Sequence, residues 1–153
     1  MPEAYYNPKT IEQKVMQFWE ANRIPQKIVR FDPQRKKFYL LDGPPYVNAE
    51  PHVGHIKTTT LKDIWSKFKF MQGFSVWFQP GFDCLGLPIE NMVEKELGIT
   101  SKKDIEEKVG VENFIKKCRE KAQGNEKLWL ELYKKLGAWR GWVSPYLTLE
   151  NYY

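Results

Sequence analysis

The chain has 153 residues, 42% hydrophobic and 15% aromatic, enough for one domain with a real core and too many for a disordered segment. Its formal charge of +5 suits a polyanionic partner such as RNA or a nucleotide, although a solvated lysine-rich surface has the same composition. No apolar run reaches the roughly 18 residues of a membrane span, and Cys84 and Cys118 stand apart, which argues against a disulfide scaffold or a zinc ribbon.

The opening Met-Pro-Glu-Ala-Tyr-Tyr lacks the basic-then-apolar order of a secretory signal, so the expected address is cytoplasmic. Asn7-Pro8 predicts a helix start, with Asn as cap and Pro in the first turn. Ile11, Val15, Phe18 and Trp19 give that helix one apolar stripe, and it is expected to stop before Pro25. Lys37 to Leu41 (KFYLL) reads as a buried strand ended by Asp42-Gly43-Pro44-Pro45. From about Val53 the period becomes helical, with Leu61, Ile64, Trp65, Phe68 and Met71 on one face and Gly73 as the stop. Phe74 to Gln79 is a second short strand, closed by Pro80-Gly81. Strand, helix and strand make a βαβ unit, which predicts parallel strands and a right-handed crossover.

Beyond it, "LPIENMVEKELG" begins a helix around Pro88, and Ser101 with Asp104 carries a capping signal. Val111 to Leu136 is a long amphipathic stretch with Phe114, Ile115, Cys118, Trp129, Leu132, Tyr133 and Leu136 on one side and Gly124 as a candidate break. The aromatic tail "WRGWVSPYLTLENYY" reads as irregular, and there is no internal repeat or low-complexity linker.

The chain's two histidines, His52 and His55, fall three residues apart where the loop after the first strand enters a helix. Ligands of a βαβ unit bind where strands end and helices begin, and a helix N-terminus offers unpaired N–H groups and a positive dipole end to phosphate. Two imidazoles at i and i+3 share one side of the helix and can grip one triphosphate, while Gly54 leaves bare backbone for a flat base. Pro44 and Pro45 stiffen the approach. A histidine near a helix start is also an ordinary capping or surface residue. A metal reading lacks a third ligand at suitable spacing, and neither a Walker loop nor GxGxxG is present. Residue chemistry alone therefore reaches a nucleotide-phosphate site, with capping as the alternative.

The motifs in order go further. Gly43-Pro-Pro-Tyr-Val-Asn48 followed by His52-Val-Gly-His55 resembles the signature that opens the catalytic domain of class I aminoacyl-tRNA synthetases. "MQGFSVWFQPGFDCLGLPIE" (Met71 to Glu90) is similar to the segment that follows in the isoleucyl, valyl and leucyl subgroup. "LGAWRGWVSPYLTLENYY" (Leu136 to Tyr153) resembles the lead into the inserted editing domain. The pattern is most similar to isoleucyl-tRNA synthetase, with a leucyl type as runner-up. It departs at Leu85, where the isoleucyl pattern has His, at Phe82 for Trp and at Ala49 for Gly. The first two departures bear on side-chain selectivity.

The resemblance implies an α/β fold: the N-terminal half of a Rossmann-like synthetase catalytic domain, a parallel βαβ core with additional helices. Residues 1–36 would be an N-terminal helical segment and 37–153 the first half of that domain. It implies ATP-dependent activation of a branched aliphatic amino acid, isoleucine first, and transfer to tRNA. ATP would enter with Mg2+, with no structural metal in this chain and no membrane partner. His52 and His55 would be catalytic, holding phosphates in the transition state, and Gly54 would make room for adenine. Asn48 would approach the nucleotide, Gly43 and Pro44 would line the amino-acid pocket, and Asp83 would pair with the substrate ammonium. The second signature of the family, a Lys-Met-Ser-Lys-Ser-like loop, has no match; Ser101-Lys102-Lys103 lies in an early helical segment. The chain is therefore expected to need the half that carries that loop, and to expose a sheet edge or an apolar patch. A non-catalytic module binding ATP or RNA is the alternative from another class.

Overall fold

In the computed structural model, which describes residues 5–152, Asn7 caps α1 (Pro8–Ala21): its side-chain oxygen accepts from the Thr10 amide at 3.4 Å, and Pro8 sits in the first turn. The reading of Met1 to Ala4 as no signal lies outside the described residues, as does Tyr153. α1 ends before Pro25 as expected, and Pro25 enters the first turn of a second short helix, α2 (Ile24–Ile28). The stripe on α1 is not a core face, since Val15 and Phe18 stay exposed; Trp19 meets Trp142 edge-on at 6.1 Å.

β1 (Lys37–Leu40) pairs in parallel with β2 (Ser75–Phe78), Lys37 opposite Ser75 and Leu40 opposite Phe78. The crossover is α3 (Val53–Met71), so the βαβ unit is present, and Gly73 at φ +86° follows the helix end. β1 is not the buried strand its composition suggests. With a strand neighbour on one side alone among the described residues, it leaves Tyr39 56% exposed, and Leu41 just beyond it is 93% exposed. α3 has the expected period but faces the other way: Leu61, Ile64, Trp65, Phe68 and Met71 are all at least 50% exposed, while Thr59, Asp63 and Ser66 are buried. Asp63 explains the inversion. Its carboxylate accepts from the Trp139 amide at 2.8 Å and pairs with Lys67, so a polar face anchors the helix.

The tail is more ordered than its sequence indicates. A 3₁₀ turn (Trp139–Trp142) leads to β4 (Tyr146–Leu147), which pairs in parallel with β3 (Gly81–Phe82). Tyr46 bridges Asp83 on the other side, with Asp83 N–H donating to Pro45 O at 2.9 Å and Val47 N–H to Asp83 O at 3.1 Å. Three parallel segments thus lie side by side, with 81–83 in the middle. Gly81 is required there: a Cβ would sit 2.1 Å from the Tyr146 ring.

α4 (Leu87–Glu96) carries Pro88 in its first turn, and Ser101 and Asp104 form the expected capping box on α5 (Lys102–Asp104). A single π-helical turn (Ile105–Val109), not legible in the sequence, follows. α6 (Val111–Lys135) runs unbroken through Gly124, burying Phe114, Ala122, Trp129 and Tyr133, whereas Ile115 and Leu136 remain exposed. The main core packs α6 against the three-segment ladder through Val47, Phe82, Ile89, Trp129, Tyr133 and Leu147. It lies directly behind the loop that enters α3. Among the described residues no helix is long and apolar enough to cross a membrane.

Candidate active site

His52 caps α3, and the two imidazoles form a reciprocal box. His52 Nδ1 accepts from the Gly54 amide at 3.1 Å, and His55 Nδ1 accepts from the His52 amide at 3.3 Å. The ring centroids are 3.7 Å apart; His52 is exposed, and His55 is half-buried with its ring 4.7 Å from Trp129. An Nδ1 that accepts from an N–H carries no proton, so each neutral ring is protonated at Nε2, its opposite side. Capping and phosphate binding are therefore compatible, because the tautomer that caps the helix leaves two Nε2–H donors at its positive end. Gly54 has a local role as well. A Cβ there would lie 3.0 Å from His52 Cε1, so bare backbone lets the capping ring fold back.

The approach loop is fixed from behind by α6. Asn125 Nδ2 donates to Val47 O at 2.6 Å, and Trp129 Nε1 donates to Ala49 O at 2.8 Å, with exposed Asn48 between these anchors. A cleft of about 190 Å³ opens beside them, lined by Gly43, Pro45, His55, Thr58, Thr59, Lys62, Trp129, Tyr133 and Arg140. It brings Gly43 and His55 together. Pro44, Asn48, His52, Gly54 and Asp83 do not line it. A larger cavity of about 380 Å³, between Lys27, Arg30, Arg35, Phe70 and Phe74, lies at the amino ends of β1 and β2. It contains none of the residues singled out in the sequence, and sites on parallel sheets lie at carboxyl ends.

Asp83 lies one strand across from this loop and is partly exposed. Its Oδ1 accepts from Thr148 Oγ1 at 3.2 Å and from the Leu85 amide at 3.4 Å. Cys84 beside it is a small core residue: burial, then Glu126 and Asp83, push its thiol up to about 11, which keeps it inert. Sequence reasoning missed Asp42, whose fully buried carboxylate pairs with Lys62 and with Arg140 from the 3₁₀ turn. It also missed Trp129 as the anchor of the histidine loop. The Asp-Gly-Pro-Pro composition read as a turn, and partners 20 (Lys62 to Asp42), 80 (Trp129 to Ala49) or more residues away leave no local signal. Among the described residues no three His, Cys, Asp or Glu side chains gather as a metal site.

Burial, and then the neighbouring His52, hold the His55 imidazole below its ordinary 6.5. The folded chain thus binds this proton less readily than the unfolded chain does. The stabilisation is complete above pH 6.5 and is lost as pH falls through that value towards the lower folded one. Protonation also removes the Nδ1 acceptor from the cap. Thermal melting followed between pH 7.5 and 5.5 should show a fall in Tm that is smaller in His55→Asn, which keeps an acceptor but does not titrate; an equal fall in both would rule His55 out as the cause.

Comparison with known proteins sets this geometry in a wider frame. Residues 14–153 match the family model of the tRNA synthetases class I (I, L, M and V). The chain is 50% identical over 148 residues to an isoleucine–tRNA ligase of Pyrococcus horikoshii and 42% identical over 151 residues to one of Methanothermobacter marburgensis. These alignments cover 97% and 99% of this chain, and the chain spans 14% of the length of each of those relatives. In fold it is similar to the agnB2 LeuRS of Agrobacterium radiobacter K84, solved in a ternary complex with tRNA and LeuAMS. The TM-score is 0.69 at 23% identity, over 95% of this chain and 16% of that one.

Proposed function

The chain belongs to the class I tRNA synthetases, and on that premise we propose that it forms the part of a synthetase catalytic domain that holds ATP and isoleucine for adenylate formation. The observation that carries this reading is the close histidine pair at the N-terminus of α3, with both Nε2–H groups available, next to the cleft that Gly43 lines. The relatives named isoleucine–tRNA ligase support isoleucine over leucine. Residues 1–36 are then a helical segment preceding the first half of a Rossmann-like domain at 37–153, an assignment supported by the parallel pair joined through α3. A cytoplasmic setting accords with this role.

In the proposed reaction a carboxylate oxygen of isoleucine attacks the α-phosphorus of Mg2+-bound ATP. The new O–P bond forms as the bond to pyrophosphate breaks, and the aminoacyl group then passes to the terminal ribose of tRNA with release of AMP. No side chain needs to act as nucleophile, so these residues contribute alignment and charge stabilisation. His52 and His55 donate from Nε2 to phosphate oxygens, and the amide end of α3 adds a positive field there. Gly54 leaves room for adenine, Asn48 lies near the nucleotide, Gly43 and Pro44 border the amino acid, and Asp83 faces its ammonium. The exposed face of α3 from Leu61 to Met71, with Tyr39 and Trp77, supports a partner that covers it: the remaining half, with the lysine-rich loop.

The test is isoleucine-dependent ATP–pyrophosphate exchange by this chain with and without that half. Exchange is expected only with it, and full exchange by the chain alone would overturn the dependence. His52→Ala and His55→Ala should each weaken ATP binding by about tenfold, the weight of one hydrogen bond to a charged group. Unchanged binding in both would remove the histidines from the site.

A further inference from the structure

β4 and the residue after it bring a hydroxyl onto the carboxylate that the proposed reaction places at the substrate ammonium. Thr148 N–H donates to Phe82 O at 3.2 Å, so sheet register, not a free loop, sets where this side chain stands. Its Oγ1 accepts from the Cys84 amide at 2.9 Å. A hydroxyl has a single proton, and with Oγ1 already receiving an N–H, that proton is directed to Asp83 Oδ1, 3.2 Å away. The Leu85 amide donates to the same oxygen at 3.4 Å. Among the described residues both donors therefore fall on Oδ1, and Oδ2 is left for a ligand. The Asp83 main chain is held just as firmly, between Pro45 O and the Val47 amide, in the segment that directly follows Gly43-Pro44.

We infer that Thr148 is a positioning residue for the amino-acid ammonium: its hydroxyl takes the Cys84 N–H and spends its proton on Asp83 Oδ1, holding Oδ2 towards the substrate. This rests on the reading of Asp83 as the ammonium partner. A cation with three N–H donors gains most from a carboxylate whose rotamer is already fixed, because less side-chain freedom is lost on binding. Neither Thr148 nor Cys84 touches the substrate in this arrangement.

Isothermal titration of the chain with two probes tests it: the sulfamoyl analogue of isoleucyl-adenylate and the same compound lacking the α-amine. The unmodified chain should prefer the amine by about tenfold or more, as one charge-assisted contact requires. Thr148→Val should bring that preference to within about twofold and leave affinity for the des-amino compound unchanged, and Thr148→Ser should restore it. A general structural lesion would weaken both compounds together. Melting without ligand establishes that each variant is folded; if Thr148→Val is not, Thr148→Cys, of similar size and with a weaker donor, takes its place. An undiminished amine preference in the valine or cysteine variant overturns the inference. A chain that binds both compounds equally from the start removes Asp83 and Thr148 together while sparing the nucleotide site. A chain that binds neither overturns the proposed function, and the inference with it.

Discussion

Asp42→Ala should cost the fold about 3–5 kcal/mol, because it leaves a buried guanidinium without its counter-ion. Asp42 follows β1 by two residues, and its carboxylate is fully buried. One oxygen meets Lys62 of α3 and the other meets Arg140, whose side chain is only 2% exposed. The Arg140 guanidinium lies over the Tyr133 ring at 4.4 Å and the Phe78 ring at 5.3 Å, and its Nε is buried without an acceptor. Charge, not an aligned hydrogen bond, holds the Arg140 pair, so removing the anion strands a cation among aromatic walls. Arg140→Met should be milder, since Asp42 keeps Lys62, which is partly exposed and hydrated. The double variant Asp42→Leu with Arg140→Met should recover most of the loss by replacing ions with packing. Urea midpoints of the three variants check this. A loss below about 1 kcal/mol for Asp42→Ala would mean that water reaches the pair and the network is a surface one in effect. The site depends on this network because Gly43 and Pro44 are the next two residues, so its loss should loosen the wall of the cleft.

The sequence discloses local structure well, for physical reasons visible at single residues. Asn7 and Ser101 bind amides three positions on, within their own turns, and composition records such contacts. The parallel pairing of β1 and β2 follows from a helix of fixed length between them. The side of α3 that faces inward does not follow from periodicity. Leu61, Ile64, Trp65, Phe68 and Met71 mark a real stripe, but the Asp63 contact with the Trp139 amide turns the other face to the core. A single acceptor 76 residues from its donor decided the orientation, and no window of sequence contains both. β4 was hidden for the same reason, since two residues carry no period and the strand exists because Gly81 admits the Tyr146 ring. At the site, the histidine turn was legible because both rings and the helix start are neighbours in sequence. The ties from Thr148 to Asp83 and from Arg140 to Asp42 were not, because each joins the tail to a strand end far upstream.

Trp129→Ala should destabilise the chain by about 3–5 kcal/mol and release the histidine loop with it. The indole is 1% exposed, with Phe82 and Tyr133 each 6.0 Å away, so truncation leaves a cavity in the main core. Its Nε1–H also holds Ala49 O at 2.8 Å, and its ring stands 4.7 Å from that of His55. Core packing and the hold on the histidine loop are thus joined in one side chain, and Trp129→Phe separates them. Phenylalanine keeps most of the apolar volume but cannot donate to Ala49, a loss of about 1 kcal/mol in stability. If the indole N–H positions the loop, the phenylalanine variant should melt only slightly lower yet bind ATP several-fold more weakly, with faster amide exchange confined to residues 47–55. Unchanged ATP affinity would assign Trp129 to the core alone. The side-chain restraint left on the loop would then be the Asn125 bond to Val47 O, beside the main-chain bonds to Asp83, and Asn125→Ala should produce the weakened binding instead. In both cases the loop that enters α3 is held from α6, through Asn125 on Val47 O or Trp129 on Ala49 O, and the proposed phosphate grip would depend on that hold.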